Sequence, residues 1–256
     1  MSETEGKGSD EAHGGSGDGE RPARAKKHWK VWQETLVLLV VAVVLSLVVK
    51  TFFVQAFYIP SSSMEPGLQV NDRILVEKWS YWFGEPKRGD VVVFEDPGSW
   101  LPATDSEPSN PVVSVLSKIG LYPAGGHLVK RVVGTAGDVI ECCDAEGRLI
   151  VNGEPVDESG YARPDDAECY GPMPGQCAWT AGPVPEGYLF VMGDNRASSS
   201  DSSARLCTPR ETDCVSGREF VPEDLVVGKV FVRLWPAGRM GGVDSSEPLR
   251  DAPDPE

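Results

Sequence analysis

Residues 35–68 read TLVLLVVAVVLSLVVKTFFVQAFYIPSSSMEPGL, and the chain changes character within them. Thr35 to Val54 is twenty residues with one charge, Lys50. That is about the length a helix needs to cross a bilayer. Lys50 stands near the end of the run, where a long side chain can reach the headgroups. Before the run come Arg21, Arg24, Lys26, Lys27 and Lys30, with no acid among them. Cytoplasmic flanks carry the excess of Lys and Arg, so the N-terminus is expected inside and the residues after the run outside. A basic stretch, an apolar run and Val54-Gln55-Ala56 also describe a cleavable secretory signal. The long segment before the run, the charge at Lys50 and the renewed apolar character of Thr51–Val54 favour an uncleaved anchor over residues 31–56. Both readings put the main body outside.

Composition supports this division. Residues 1–30 are Gly, Ser, Asp and Glu with a basic end, too polar to offset the entropy of ordering, and are expected to be disordered. The net charge is −15, and the surplus acid lies beyond residue 50. That argues against nucleic acid as a partner, because phosphate binding needs a basic face. Cys142, Cys143, Cys169, Cys177, Cys207 and Cys214 all follow the apolar run. An even number of cysteines in an oxidising compartment suggests disulfides. Six cysteines allow fifteen pairings, among which Cys169/Cys177 and Cys207/Cys214 close the short loops. A zinc site is disfavoured, since there is no C-x-x-C and His127 is the single histidine past the run.

Beyond the anchor, short runs rich in Val, Ile, Phe and Tyr alternate with Gly, Pro and Asp. They lie at 73–79, 90–96, 127–134, 138–141, 148–156, 187–194 and 225–235. No segment there keeps a helical period for long. The fold class is therefore mainly β: one N-terminal transmembrane helix, then an antiparallel β domain over 57–239. Asn152-Gly153 inside the run "RLIVNGEPV" (148–156) signals a hairpin turn. Residues 97–126 and 163–185, rich in Pro, Gly, Ser or Cys, look like insertions. Residues 240–256 are expected to be a disordered polar tail.

The chemistry narrows by elimination. A Ser-His-Asp triad needs a histidine on the outer side, and His127 lies three residues from Lys130 in one strand-like run, facing the other way. No lysine has a serine three positions before it, so the S-x-x-K pattern is absent, as are H-E-x-x-H and the P-loop. What remains is serine with lysine as its base. Lys130 stands out from Lys78, Lys87, Lys118 and Lys229 because "HLVKRVVG" embeds it in an apolar run. A lysine with the reference pKa of about 10.4 must lose about three units, roughly 4 kcal/mol, to be neutral near pH 7. Burial against apolar walls does that. Ser61–Ser63 could otherwise be a polar linker, Ser198–Asp201 a turn, and Lys130 a surface ion-pair partner.

Four boxes in order carry more than any one of them: "IPSSSMEPGL" (59–68), "RGDVVVF" (88–94), "KRVVGTAGD" (130–138) and "GDNRASSSDSSARL" (193–206). Together they resemble the type I signal peptidases, membrane-bound serine proteases that remove signal peptides from exported proteins. The resemblance covers roughly Trp29 to Trp235. The acidic Gly/Ser tail and the cysteine-rich insertion look like an actinobacterial member. The resemblance implies Ser63 as nucleophile, before Met64, and Lys130 as general base. It implies Ser61 as an oxyanion-hole hydroxyl acting with the Ser63 N–H. Ser199 would support the lysine, and Asp201 matches a structural aspartate. Phe57, Ile59, Met64, Leu68 and Val129 would line small pockets admitting Ala at the −1 and −3 positions. No metal or organic cofactor is implied. The partners would be secretory preproteins and membrane lipid, at the cell membrane, with the catalytic domain extracytoplasmic. Two positions depart from the pattern: Gly67 where threonine is usual, and Ser203 where arginine is usual, with Arg205 nearby as a substitute partner for Asp201. The alternatives are a dedicated Ser/Lys processing protease for one membrane-tethered substrate, and an anchored β binding module that has lost catalysis.

Overall fold

The computed structural model describes residues 30–98, 100–101, 126–163, 178–207 and 211–255. The described residues up to Ala42 and those from Val43 on form two units. Helix α1, Val31–Val48, carries a valine-rich sequence and has no buried residue. Such a sequence is a weak helix former in water, but a bilayer obliges the backbone to satisfy its own hydrogen bonds. Apolar all round, α1 is long and apolar enough to cross a membrane. A five-residue π turn, Val49–Phe53, follows it. The chain is then extended: β1, Val54–Tyr58, pairs with β2, Arg73–Glu77. Residues 54–56, assigned above to the anchor, are therefore the start of the sheet. Valine and aromatic side chains suit lipid and strand equally, so hydropathy does not mark this boundary.

The remaining strands are β3 (Val91–Glu95), β4 (His127–Gly134), β5 (Ile140–Cys142), β6 (Ile150–Val151), β7 (Glu154–Pro155), β8 (Trp179–Ala181), β9 (Tyr188–Met192), β10 (Val221–Pro222), β11 (Val226–Trp235) and β12 (Gly241–Gly242). The large sheet has the order β1-β2-β11-β3-β4-β9-β10, with β12 against β11. The smaller sheet has the order β7-β6-β5-β8. Every strand pair in both sheets is antiparallel. The β6–β7 hairpin turns at Asn152 and Gly153, both at positive φ (51° and 83°), the two-residue turn its sequence signals. β8, within the segment read as an insertion, pairs with β5.

β3 explains its own continuous apolar sequence. Val91 and Val93 pack in one core cluster with Ile59, Met64, Leu68 and Ile74, while Val92 and Phe94 pack in another with Leu128, Val132 and Val191. A strand buried on both faces has no polar side to alternate with. The first cluster lies under the serine turn.

Residues 240–255 are not the expected disordered tail. β12 pairs with β11, the short helix α2 (Glu247–Arg250) buries Leu249, and Arg88 donates to the carbonyls of Ala252 and Pro253. One leucine and a row of backbone acceptors order a stretch whose composition is polar. Cys207 and Cys214 are disulfide-bonded, as are Cys142 and Cys143. The Cys169/Cys177 pairing lies outside the described residues, as does the segment 1–29.

Candidate active site

Three pieces of chain converge. The first is the β1–β2 connection. The ladder continues past the strands through Ile59 N–H to Asp72 O (2.9 Å) and Asn71 N–H to Ile59 O (2.9 Å), so the loop's ends are held together. Ser61–Leu68 forms a series of turns, with Leu68 N–H donating to Met64 O (2.8 Å). Met64 and Leu68 point into the core and are almost fully buried. Arg239 ion-pairs with Asp72 (2.9 Å), and Arg233 and Arg239 donate to the Gly67 carbonyl (2.6 and 3.1 Å).

The second piece is β4. Lys130 pairs in register with Val92, between Leu128 and Val132 of its own face. The third is the loop after β9, which β4 holds beside it through Arg131 opposite Met192. Asn195 grips the serine turn twice: its N–H donates to Ser63 O (3.0 Å) and its Nδ2 to Ser62 O (3.1 Å). Gly193 allows this approach. A Cβ there would lie 2.5 Å from Ser63 O and 2.6 Å from Ser199 Cβ.

The result is that Lys130 Nζ lies 2.8 Å from Ser63 Oγ, and Ser61 Oγ lies 3.2 Å from the same atom. Ser63 and Lys130 are both buried. Among the described residues no acceptor takes the Ser63 N–H, and no carboxylate is ion-paired with Lys130. Burial pushes the Lys130 amine below its ordinary value of 10.5, while the charges of Asp201 and Asp194 pull the other way and do not cancel it. A cleft of about 580 Å³ opens beside this pair. Phe57, Ile59, Met64 and Val129 border it, together with Ser61, Ser63, Lys130, Leu101 and His127.

Not every expected residue joins. Leu68 lies in the core beneath the turn and does not border the cleft. The Ser199 hydroxyl is buried against Gly193 and has no hydrogen-bond partner among the described residues. Asp201 accepts from Gly193 N–H (2.8 Å), from Ser203 N–H (3.1 Å) and from the Ser203 hydroxyl (2.7 Å). Ser203 thus binds Asp201 itself, and Arg205 goes elsewhere, to the Trp100 carbonyl and the Ser200 hydroxyl (3.1 Å each). A Cβ at Gly67 would meet Asp194 Oδ2 at 3.4 Å, ordinary contact, so space does not demand the glycine.

Sequence reasoning did not single out Asn195, Arg233, Arg239 or the pair beside Lys130. Arg131 donates through Nε and Nη2 to the two Asp194 oxygens, 2.7 Å each. Its guanidinium also covers the Tyr161 ring at 4.5 Å. The signal for Asp194, Asn195 and Arg131 was present, because all three sit inside the quoted boxes. Arg233 and Arg239 stand outside them. Among the described residues no three His, Cys, Asp or Glu side chains gather as a metal-holding group.

The family described as "Signal peptidase, peptidase S26" matches residues 32–235. The chain belongs to the signal peptidase family. A "Probable signal peptidase I" of Mycobacterium leprae (strain TN) is 39% identical over 244 residues, 86% of this chain and 81% of that one. The "Signal peptidase I" of Mycobacterium tuberculosis (strain ATCC 25618 / H37Rv) is 39% identical over 251 residues, 90% and 80% of the two chains. In a solved "signal peptidase I" from Enterococcus faecalis V583, 22% identical, 57% of this chain and 97% of that one align with a TM-score of 0.31. That likeness is too slight to bear on the fold. As a signal peptidase, the chain is a serine peptidase, and the mycobacterial relatives agree with the actinobacterial character read from its composition.

Proposed function

We propose that this protein is a membrane-bound endopeptidase that removes N-terminal signal peptides from exported preproteins, cutting after small residues at −1 and −3. Ser63 is the nucleophile and Lys130 the general base. The observation that carries this reading is the 2.8 Å approach of Lys130 Nζ to Ser63 Oγ, with the amine buried and ion-paired with no carboxylate among the described residues.

The chemistry is acyl transfer. Neutral Lys130 takes the Ser63 hydroxyl proton as Oγ attacks the scissile carbonyl carbon. The Ser63 N–H and the Ser61 hydroxyl receive the developing oxyanion, a contribution of about 3–4 kcal/mol per donor. The C–N bond breaks as Lys130 returns the proton to the leaving amine, which leaves an ester on Ser63. Water, losing a proton to Lys130, then attacks the ester, and that proton passes back to Ser63. The substrate would lie extended along the cleft, adding main-chain hydrogen bonds beside a strand.

Helix α1 spans the membrane in this reading, with its N-terminus cytoplasmic and the β domain outside. A signal peptide's cut site lies at the outer end of its own apolar helix. Enzyme and substrate would then be held at one depth, which raises effective concentration without any further contact. The test uses the full chain in detergent with a preprotein substrate. Wild type should release the mature protein, whereas Ser63→Ala and Lys130→Ala should not. Equal cleavage by all three would overturn the reading.

A further inference from the structure

The cleft has one wall, from the turn after β3, that lies outside the four sequence boxes and outside the pocket residues the resemblance implied. After β3 ends at Glu95, the Asp96 carboxylate accepts the N–H groups of Gly98 (3.0 Å), Trp100 (3.0 Å) and Leu101 (3.2 Å), folding the chain back on itself. Trp100 is fastened on two sides. It meets Phe94 edge-on, with ring centroids 5.9 Å apart, and the Arg205 guanidinium lies 5.6 Å from its ring centroid. Arg205 Nη2 also donates to the Trp100 carbonyl and to the Ser200 hydroxyl, joining this turn to the loop that carries Asp201. Leu101 therefore follows a side chain locked into the core. It is itself half-buried, packs against the Phe94 and Leu128 cluster, and borders the same cleft as Ser61, Ser63 and Lys130.

Resting on the proposed Ser63/Lys130 reading, we propose that Leu101 is a specificity-determining wall of the cleft that limits the bulk of one apolar substrate side chain, and that Arg205 is the positioning residue that holds it there. A leucine offers contact but no hydrogen bond, so it can select by size and not by polarity. One methylene of fit or misfit changes selectivity roughly tenfold or more. Arg205, drawn away from Asp201, acts through Trp100 and does not touch the reacting atoms.

The experiment uses the full chain in detergent and a preprotein series in which each position from −5 to −1 carries Ala, Leu or Phe in turn. The readout is kcat/KM for wild type, Leu101→Ala, Leu101→Trp, Arg205→Met and Ser63→Ala. At one position Leu101→Ala should raise the Phe:Ala preference about tenfold and Leu101→Trp should lower it, with the other positions changing less than about twofold. Arg205→Met should move the preference at that same position, by a smaller factor, and leave the pH profile of cleavage unchanged. An unaltered preference everywhere, or an equal change at every position, overturns the role of Leu101 while the dyad stands. A change at Arg205→Met that appears in the pH profile and not in the preference overturns its positioning role. Cleavage by Ser63→Ala at the wild-type rate overturns the dyad reading instead.

Discussion

Lys130 and Arg131 follow one another on β4, and both are hidden from water, at 4% and 3% exposure. Successive side chains of a strand point to opposite faces, so the two cations enter different surroundings. Arg131 meets the Asp194 carboxylate on two oxygens, the Gly89 carbonyl at 2.8 Å and the face of Tyr161. Burial works against its charge, but Asp194 more than offsets that, and the guanidinium is held more firmly protonated than usual. Lys130 meets a hydroxyl, and burial drives its amine toward the neutral form. Arginine remains charged and forks onto carboxylate, whereas lysine yields its proton when dried. One position is therefore suited to fastening the β9 loop and the other to taking a proton.

The widest gap should appear in activity. Ser63→Ala and Lys130→Met should each lower kcat/KM at least about a thousandfold. Lys130→Met should leave the denaturation midpoint unchanged or higher, because replacing a dried amine with an apolar chain of similar shape is neutral or stabilising. A large loss of stability in that variant would break the contrast.

Next comes the paired cation. Asp194→Ala leaves Arg131 buried without its carboxylate and should cost about 3–5 kcal/mol in denaturant unfolding. A cost below about 1 kcal/mol would mean that Arg131 is no better paired than its neighbour.

A smaller effect separates the two residues by pH. Folded Lys130 has a lowered pKa and the unfolded chain an ordinary one of 10.5. Between those values the unfolded state binds more protons, so stability should rise with pH across that window. Lys130→Met should remove this part of the rise. In the proposed mechanism cleavage needs the neutral amine, so wild-type activity should also climb with pH through the lowered value. Profiles of kcat/KM and of unfolding midpoint against pH check both.

The smallest expected effect lies at the rim. Glu65 and Arg163 pair at 3.4 Å with the arginine largely exposed. Glu65→Gln should change stability by about 0.5 kcal/mol or less, measured in the same denaturant titration, since solvent screens such a pair.

The contrast was half legible in the sequence. An apolar run around Lys130 announced burial, and the ordered boxes paired it with Ser63. That Arg131 is buried with Asp194 could not be read, because the two are 63 positions apart and come together only through the β4–β9 ladder. Arg239 and Asp72, separated by 167 positions, illustrate the same limit for the serine turn. Most strands were legible where β-branched runs end in Gly, Pro or Asp. β1 was not, because its residues continue an apolar run that a helix uses equally well. The order in residues 240–255 was not either, since it depends on one buried leucine and on backbone acceptors for Arg88. Arg205 was expected as a substitute partner for Asp201, but the hydroxyl of Ser203 takes that place and Arg205 binds the Trp100 carbonyl instead.

Gly193 has a thermal consequence. With no side chain at Gly193 to part them, the serine turn and the β9 loop meet backbone to backbone along a narrow seam, and Ser63, the proposed nucleophile, is held against that loop through its own carbonyl. Loops part at lower free energy than the strands that carry them. Gentle warming should therefore silence cleavage before the sheets melt, and cooling should restore it.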